Sequence, residues 1–357
     1  MRGTLGQKKR IIGLDILRVI GVFFIFFYHF FVEYIVTAGG TDGAMYDCNY
    51  FFNILARPAS LFLFVISGYA LMYHREDELP LGKYYLRRFK GLFIPFYVAY
   101  TLMFVAHFLV HNQTIGHELP LRLFVYTLLG MDGVAQITAP NFYLIGEWFM
   151  TCIAACYVLF PLLAWLLKRF RYGTLALLML WYGYLLYVHN PFAITPLMNP
   201  AFIIVYFYLG MFLEQRLGER QVDARLRRVC AVISVLIFVY FCMIGFVPSM
   251  CWLKMPSEQT EIIYFAISMT MLIALRDMEI SSERCVYRVI TYISGISWYV
   301  ILLHHRIMIL FYQQLPVGQY NHRDIVALLL SCILVTWAAA IAVREIVKRI
   351  QAILRIS

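Results

Sequence analysis

Ten windows of about twenty predominantly apolar residues follow one another along this chain, separated by short charged stretches. Twenty residues of α-helix rise ~30 Å, the thickness of a bilayer's hydrocarbon core. The windows fall near 11–36, 54–74, 91–112, 142–167, 172–189, 201–216, 227–247, 260–276, 290–312 and 324–344. A backbone in lipid must satisfy its own hydrogen bonds, so each window predicts a helix. The fold expected is all-α: a polytopic bundle of about ten transmembrane helices in a lipid bilayer, with residues 1–357 forming one membrane-embedded domain. No polar stretch is long enough for a soluble domain. The segment 120–137 is apolar but short, and Gly130, Asp132 and Gly133 break it; it is expected to lie at the interface or to re-enter. The first window is too long for a signal-peptide core and no small-residue cleavage site follows it, so it is expected to remain as a helix.

Charge orients the bundle. The net charge of +10 would point to nucleic acid in a soluble protein. Here the chain is 62% hydrophobic, well above soluble usage, and its cations follow the alternation of the loops. Arg2, Lys8, Lys9 and Arg10 precede the first window. The second loop carries Arg75, Lys83, Arg87, Arg88 and Lys90. Later even-numbered loops carry Lys168, Arg169 and Arg171, then Arg216, Arg220, Arg225, Arg227 and Arg228, then Arg276, Arg284 and Arg288; the tail carries Arg344, Lys348, Arg349 and Arg355. These are 24 of the 30 basic residues, against Arg122, Lys254 and Arg323 in the odd-numbered loops. The positive-inside rule then places both termini in the cytoplasm of a multi-pass plasma-membrane protein, with no nucleic-acid partner. Eight cysteines show no CxxC pair and no spacing with His that would hold a metal. Only Cys48 and Cys251 fall in expected external loops, where a pairing between them is open.

Arg18, Arg57 and Arg306 lie inside windows, and an ionised group there is costly unless it faces the bundle interior. At 100° per residue, Arg18 and His29 fall within about 20° of one line, with Asp15 and Glu33 within about 60° of it. Arg18 and His29 are ~16 Å apart along the axis. In the second window Asn53, Arg57, Ser60 and Ser67 share a face, as do Ser297 and His304 in the ninth. Three aligned polar stripes predict a hydrated pocket or channel at their junction. The blander readings are a structural Asp15–Arg18 ion pair, a hydrogen-bonded structural His, and helix packing at Ser67 beside Gly68.

The quoted order of motifs resembles the membrane-bound acyltransferase family 3, whose members move acyl groups onto glycans and other hydroxylated acceptors. "GLDILRVIGVFFIFFYH" carries Asp15, then Arg18, ten residues, then His29. "LFLFVISGYAL" carries the FxxSG element at Phe64, Ser67 and Gly68. "YYLRRFKGLFIPFY" resembles the basic RxxR turn ahead of a proline. "GEWFMTCIAACYVLFPLL" is similar to the fourth-span motif with Trp148 and Pro161, "YFYLGMFL" to the element near Gly210, and "ISWYVILLHH" to the SxxxYLxH element at Ser297 and His304. The resemblance covers nearly the whole chain. Two departures stand out: an alignment on Arg88 and Pro95 puts Gly91 where the second Arg is usual, whereas one on Arg87 puts Lys90 there, and Ile301 replaces the usual Tyr.

The resemblance implies an acyl-CoA cosubstrate, acetyl-CoA by default, entering from the cytoplasm, and no permanently bound cofactor. Succinyl would also suit a basic pocket. Arg87, Arg88 and Lys90 would bind the donor phosphates by charge-assisted contacts. His29 would act as general base on the acceptor hydroxyl of a glycan or lipid-linked sugar. Glu33, one turn on, would orient that ring or receive its proton. Arg18 would position the donor, and Asp15, Ser67, Ser297 and His304 would support the site, whereas His305 points ~100° from His304 and is expected to matter least. An acyl-histidine intermediate remains a minor route. The alternative function is a secondary transporter of a glycan or small anion, which would also keep His, Arg, Asp and Glu in the membrane; such proteins often show two similar halves, and none is visible here.

Overall fold

The computed structural model describes residues 9–39, 43–188, 195–218, 220–246 and 254–353. Cys251, and with it a Cys48–Cys251 pairing, lies outside the described residues. The described chain is helical throughout: α1 (Ile12–Ala38), α2 (Gly43–Tyr73), α3 (Leu81–His111), two short helices α4 (Phe124–Leu129) and α5 (Asp132–Ala135), α6 (Glu147–Tyr187), α7 (Pro200–Leu217), α8 (Ala224–Phe246), α9 (Ser257–Leu275), α10 (Cys285–Gln314) and α11 (His322–Ile353). Eight of these are long and apolar enough to cross a membrane.

Two windows of the sequence lie on one of the eight. Helix α6 runs 41 residues, about twice a bilayer's thickness, and its helical backbone breaks at Phe170. Its two arms run in opposite directions along α7. The first arm places Cys152 against the carbonyl of Met198 and Phe160 against Phe207. The second places Arg171 against Gln215 and Tyr182 against Tyr206 and Phe202. The chain therefore turns back at Phe170, and with α7 the bundle has ten traverses. The first loop is shorter than the sequence predicts, because α2 begins at Gly43 rather than near 54.

Helix α2 is the hub, packed on α1, α7, α8 and α9. Its crossing with α7 is close enough that a Cβ on Gly68 would collide with the carbonyl of Phe207, and one on Gly210 with the carbonyl of Val65. Both motif glycines are thus explained by backbone approach between membrane helices. Ser67, next in sequence, turns the other way, toward a cavity.

Both described ends of the chain lie at one end of the bundle. Arg10 reaches the Thr291 carbonyl at the start of α10, while Gln351 of α11 reaches the Lys90 carbonyl at the start of α3. The segment 120–137 does not span. It folds as short helices against α6, where Gly133 donates to Thr151 and Thr151 donates to the Gly130 carbonyl.

Candidate active site: two stacked cavities

Helices α1, α2, α6 and α10 line two cavities, one above the other, and α3 completes the wall of the first. The first, about 310 Å³, lies toward the basic end and is lined by Arg18, Ser67, Arg88, Gly91, Tyr157 and Ser297, among others. Most of its polar groups are paired, while Arg88 Nε and Trp298 Nε1 are buried without a partner among the described residues. Asp15, buried beneath it, accepts two bonds from Arg10 at 2.5 and 2.9 Å and one from Ser294 at 2.5 Å, and it pairs with Arg18 at 3.5 Å. A buried carboxylate needs such partners to remain charged. Ser67 and Tyr157 share a hydroxyl–hydroxyl bond of 2.8 Å. The Arg88 guanidinium sits 5.6 Å from the centre of the Tyr157 ring and 3.2 Å from the buried Glu76.

The three cations expected at the donor site separate here. Arg88 lines the cavity with a side chain 23% exposed. Arg87 is 62% exposed, pairs with Glu76 from outside at 3.0 Å, and is not among the lining residues; neither is Lys90. Gly91, with open space where a Cβ would sit, contributes open wall.

The second cavity, about 330 Å³, lies toward the opposite end and is lined by His29, Asn53, Arg57, Ser60, His304 and His305, with Tyr143 and Trp148 from the α6 entrance. The sequence stripe on α2 is therefore divided: Asn53, Arg57 and Ser60 serve this cavity, and Ser67 the other. The His29 ring lies 5.0 Å from that of His304 and 4.4 Å from that of His305, between centroids.

Two expectations are corrected here. Glu33 does not orient His29; its carboxylate accepts from His305 Nε2 at 2.9 Å. His305 is therefore not the remote residue of the pair. The 100° that separates it from His304 on the helix leaves both facing α1, because His29 sits opposite the gap between them.

Hydrogen bonding fixes proton positions on two of the three rings. His304 Nδ1 lies 3.0 and 2.9 Å from the carbonyls of Val300 and Ile301. A carbonyl only accepts, so Nδ1 carries the proton and neutral His304 presents a lone pair on Nε2. By the same logic, His305 Nε2–H faces the Glu33 carboxylate. His304 Nε2 and His29 Nδ1 are buried atoms with no hydrogen-bond partner among the described residues.

The other intramembrane arginines have partners that spacing alone does not reveal. Arg57 pairs with Glu261 of α9 at 3.7 Å, and Arg306 contacts His107 of α3. The sequence reading also missed how the second cavity's wall is built. Glu147, at the start of α6, accepts the Leu144 and Ile145 amides at 2.7 and 3.0 Å. Gly146 supplies the left-handed turn before it, with φ of 83°. That turn holds Tyr143 and Ile145 at the cavity. Asp132 lies beneath the segment, fully buried, and burial pushes its carboxyl up to about 6. Gly130, Asp132 and Gly133 were a legible interruption in the sequence, but a wall for the histidine cavity was not.

The two cavities share Phe149 and Ile301 as lining residues. A family model described as an acyltransferase domain matches residues 11–344. No curated protein and no solved structure matches the chain.

Proposed function

The chain belongs to this acyltransferase family, and from that premise we propose that it moves an acyl group, acetyl by default, from acyl-CoA to a hydroxyl of a glycan or lipid-linked sugar. The observation that carries the reading is the stacking of a cationic cavity, to which α3 adds Arg88, on a histidine cavity along four shared helices. CoA bears phosphates at one end and the thioester at the other. Arg88 and Arg18 suit the first, and the imidazoles the second.

On this reading the basic end faces the cytoplasm of a plasma-membrane protein, as the charge asymmetry favours. The donor threads from Arg88 past Arg18 toward His29, which spans the ~16 Å between the two residues on α1. A neutral His29 accepts the proton of the acceptor hydroxyl as the oxygen attacks the thioester carbon. The C–O bond forms, the C–S bond breaks, and the CoA thiolate takes the proton back from the imidazolium. Arg18 positions the donor; its tie to Asp15 fixes it at the mouth of the chemistry rather than in it. His304 offers its lone pair beside the acceptor, and the Glu33–His305 pair holds the facing ring in place.

Purified protein in detergent, given acetyl-CoA labelled in the acetyl group and a panel of glycans, is expected to transfer label to a hydroxyl and release CoA. Failure to cleave the thioester with any acceptor, in protein shown to be folded, would overturn the reading.

A further inference from the structure

Four helices place polar groups in both cavities, yet the level between them is apolar. On α10 the polar stripe Ser294, Ser297 and His304 is interrupted by Ile301, and on α6 Phe149 stands between Tyr157 and the loop-end wall. The two residues that line both cavities are therefore a phenyl ring and a branched alkyl group. Phe149 is not free to swing aside. Phe149 stacks on the fully buried Phe64 at 4.6 Å and packs against Trp298 at 5.9 Å. Ile301 sits on a turn whose carbonyl is held by His304 Nδ1. Close-packed side chains of this kind resist displacement.

We propose that Phe149 and Ile301 form a neck that selects the acyl group by bulk and charge, admitting short, unbranched, uncharged chains to the histidine cavity. The proposal rests on the acyl-CoA reading above. A donor that enters past Arg18 leads with its acyl end, so the acyl group crosses the neck before the thioester can meet His29. Each extra methylene costs ~10–200-fold in discrimination by an apolar pocket of fixed shape. A carboxylate crossing the neck leaves the cations of the first cavity and meets no polar side chain from either neck residue.

An alkylating donor tests this without knowledge of the acceptor. Bromoacetyl-CoA carries a reactive carbon at its leading end; attack by an imidazole nitrogen forms a C–N bond and releases bromide, and mass spectrometry locates the adduct. In the full-length protein in detergent, bromoacetyl-CoA should label a histidine of the second cavity, and excess CoA should protect it. The branched analogue 2-bromo-3-methylbutanoyl-CoA should label poorly. In Ile301→Ala the ratio of branched to bromoacetyl labelling should rise at least ~10-fold, in line with the loss of more than one methylene-sized group. The ratio cancels the differing reactivity of the two bromides, and Phe149→Leu gives a second variant should the first not fold. Bromoacetyl labelling with an unchanged ratio in both variants overturns the neck and leaves the donor reading standing. No labelling by either compound, together with no binding of CoA itself, removes the donor reading and the neck with it.

Discussion

The two cavities share four helices, with α3 lining only the first and residues 195–198 only the second, and they treat their polar groups differently. In the cavity at the basic end the cations and hydroxyls are tied to neighbours, Arg18 to Asp15, Arg88 to Glu76 and Ser67 to Tyr157, and the buried atoms left without a partner among the described residues are N–H donors, Arg88 Nε and Trp298 Nε1, and one Glu76 oxygen. In the other, His29 Nδ1 and His304 Nε2 are buried without a partner among the described residues. A satisfied network holds its shape and presents a fixed field, which suits binding. Unsatisfied buried nitrogens are costly unless something else uses them, which suits proton transfer. The comparison thus separates a cavity whose cations are held in ion pairs, which suits binding, from one whose imidazole nitrogens stand without a partner, which suits proton transfer.

The sharpest way to break that division is His29→Ala. Transfer should fall by ~10²–10⁴-fold, the usual contribution of a general base, while affinity for the donor stays near wild type. Rate and donor affinity measured on the same purified variant decide it; equal loss of both would return His29 to a structural role.

Arg88→Gln is the converse experiment. Loss of a charge-assisted phosphate contact worth ~1.5–3 kcal/mol should raise the donor KM by ~10–100-fold with kcat little changed. Arg87→Gln supplies the contrast, since an exposed pair contributes ~0–1 kcal/mol and should raise the donor KM only a few-fold. Equal effects from the two would mean that exposure does not separate them as their geometry implies.

Glu33→Gln tests the correction at His305. It should reduce kcat by roughly tenfold, less than His29→Ala, and leave both KM values near wild type, because the amide oxygen still fills the space and accepts from His305 but carries no negative charge. His305→Ala should match it, and the double variant should lose little more, as expected for two residues acting as one unit. Additive losses would show that Glu33 and His305 act independently.

Helical period made the stripes on α1, α2 and α10 legible, and loop charge made the parity of the traverses legible. The reading failed where a second helix decides the outcome. A wheel gives the angle of His305 on its own cylinder, but not that His29 projects between two adjacent positions of α10. Glu33 and His29 are one turn apart in sequence, yet the shorter path for the carboxylate is across to α10. Arg87 and Arg88 are neighbours in an identical run of charge, and only the placement of Glu76 and Tyr157 makes one a lining residue and the other a surface one. The reversal at Phe170 was predicted as a loop, and it is instead a single non-helical residue within a continuous helical run.

The smallest expected effect concerns the wall that only the histidine cavity has. Asp132 is fully buried in the non-spanning segment, where its backbone carbonyl holds the Asn141 side chain that leads to Tyr143. The Thr127 hydroxyl is the group that offsets the burial of the Asp132 carboxyl, and only in part. Burial raises its folded pKa to about 6, whereas an unfolded Asp titrates near ~3.9. The native state therefore binds this proton more tightly than the unfolded state. The native protein is favoured below ~4, that advantage is lost as pH rises toward 6, and above 6 the buried charge costs ~2–3 kcal/mol relative to a neutral side chain. Asp132→Asn removes the charge at nearly constant shape. Its apparent unfolding midpoint in detergent should exceed that of wild type at pH 7 to 8, and the two curves should converge toward pH 4. Transfer by the variant at pH 7 should change by no more than a few-fold, and in the acceptor KM rather than the donor KM, because the segment borders only the second cavity. Parallel midpoint curves across that range would mean that Asp132 is solvated in the native state, and the wall would then be looser than its packing against α6 implies.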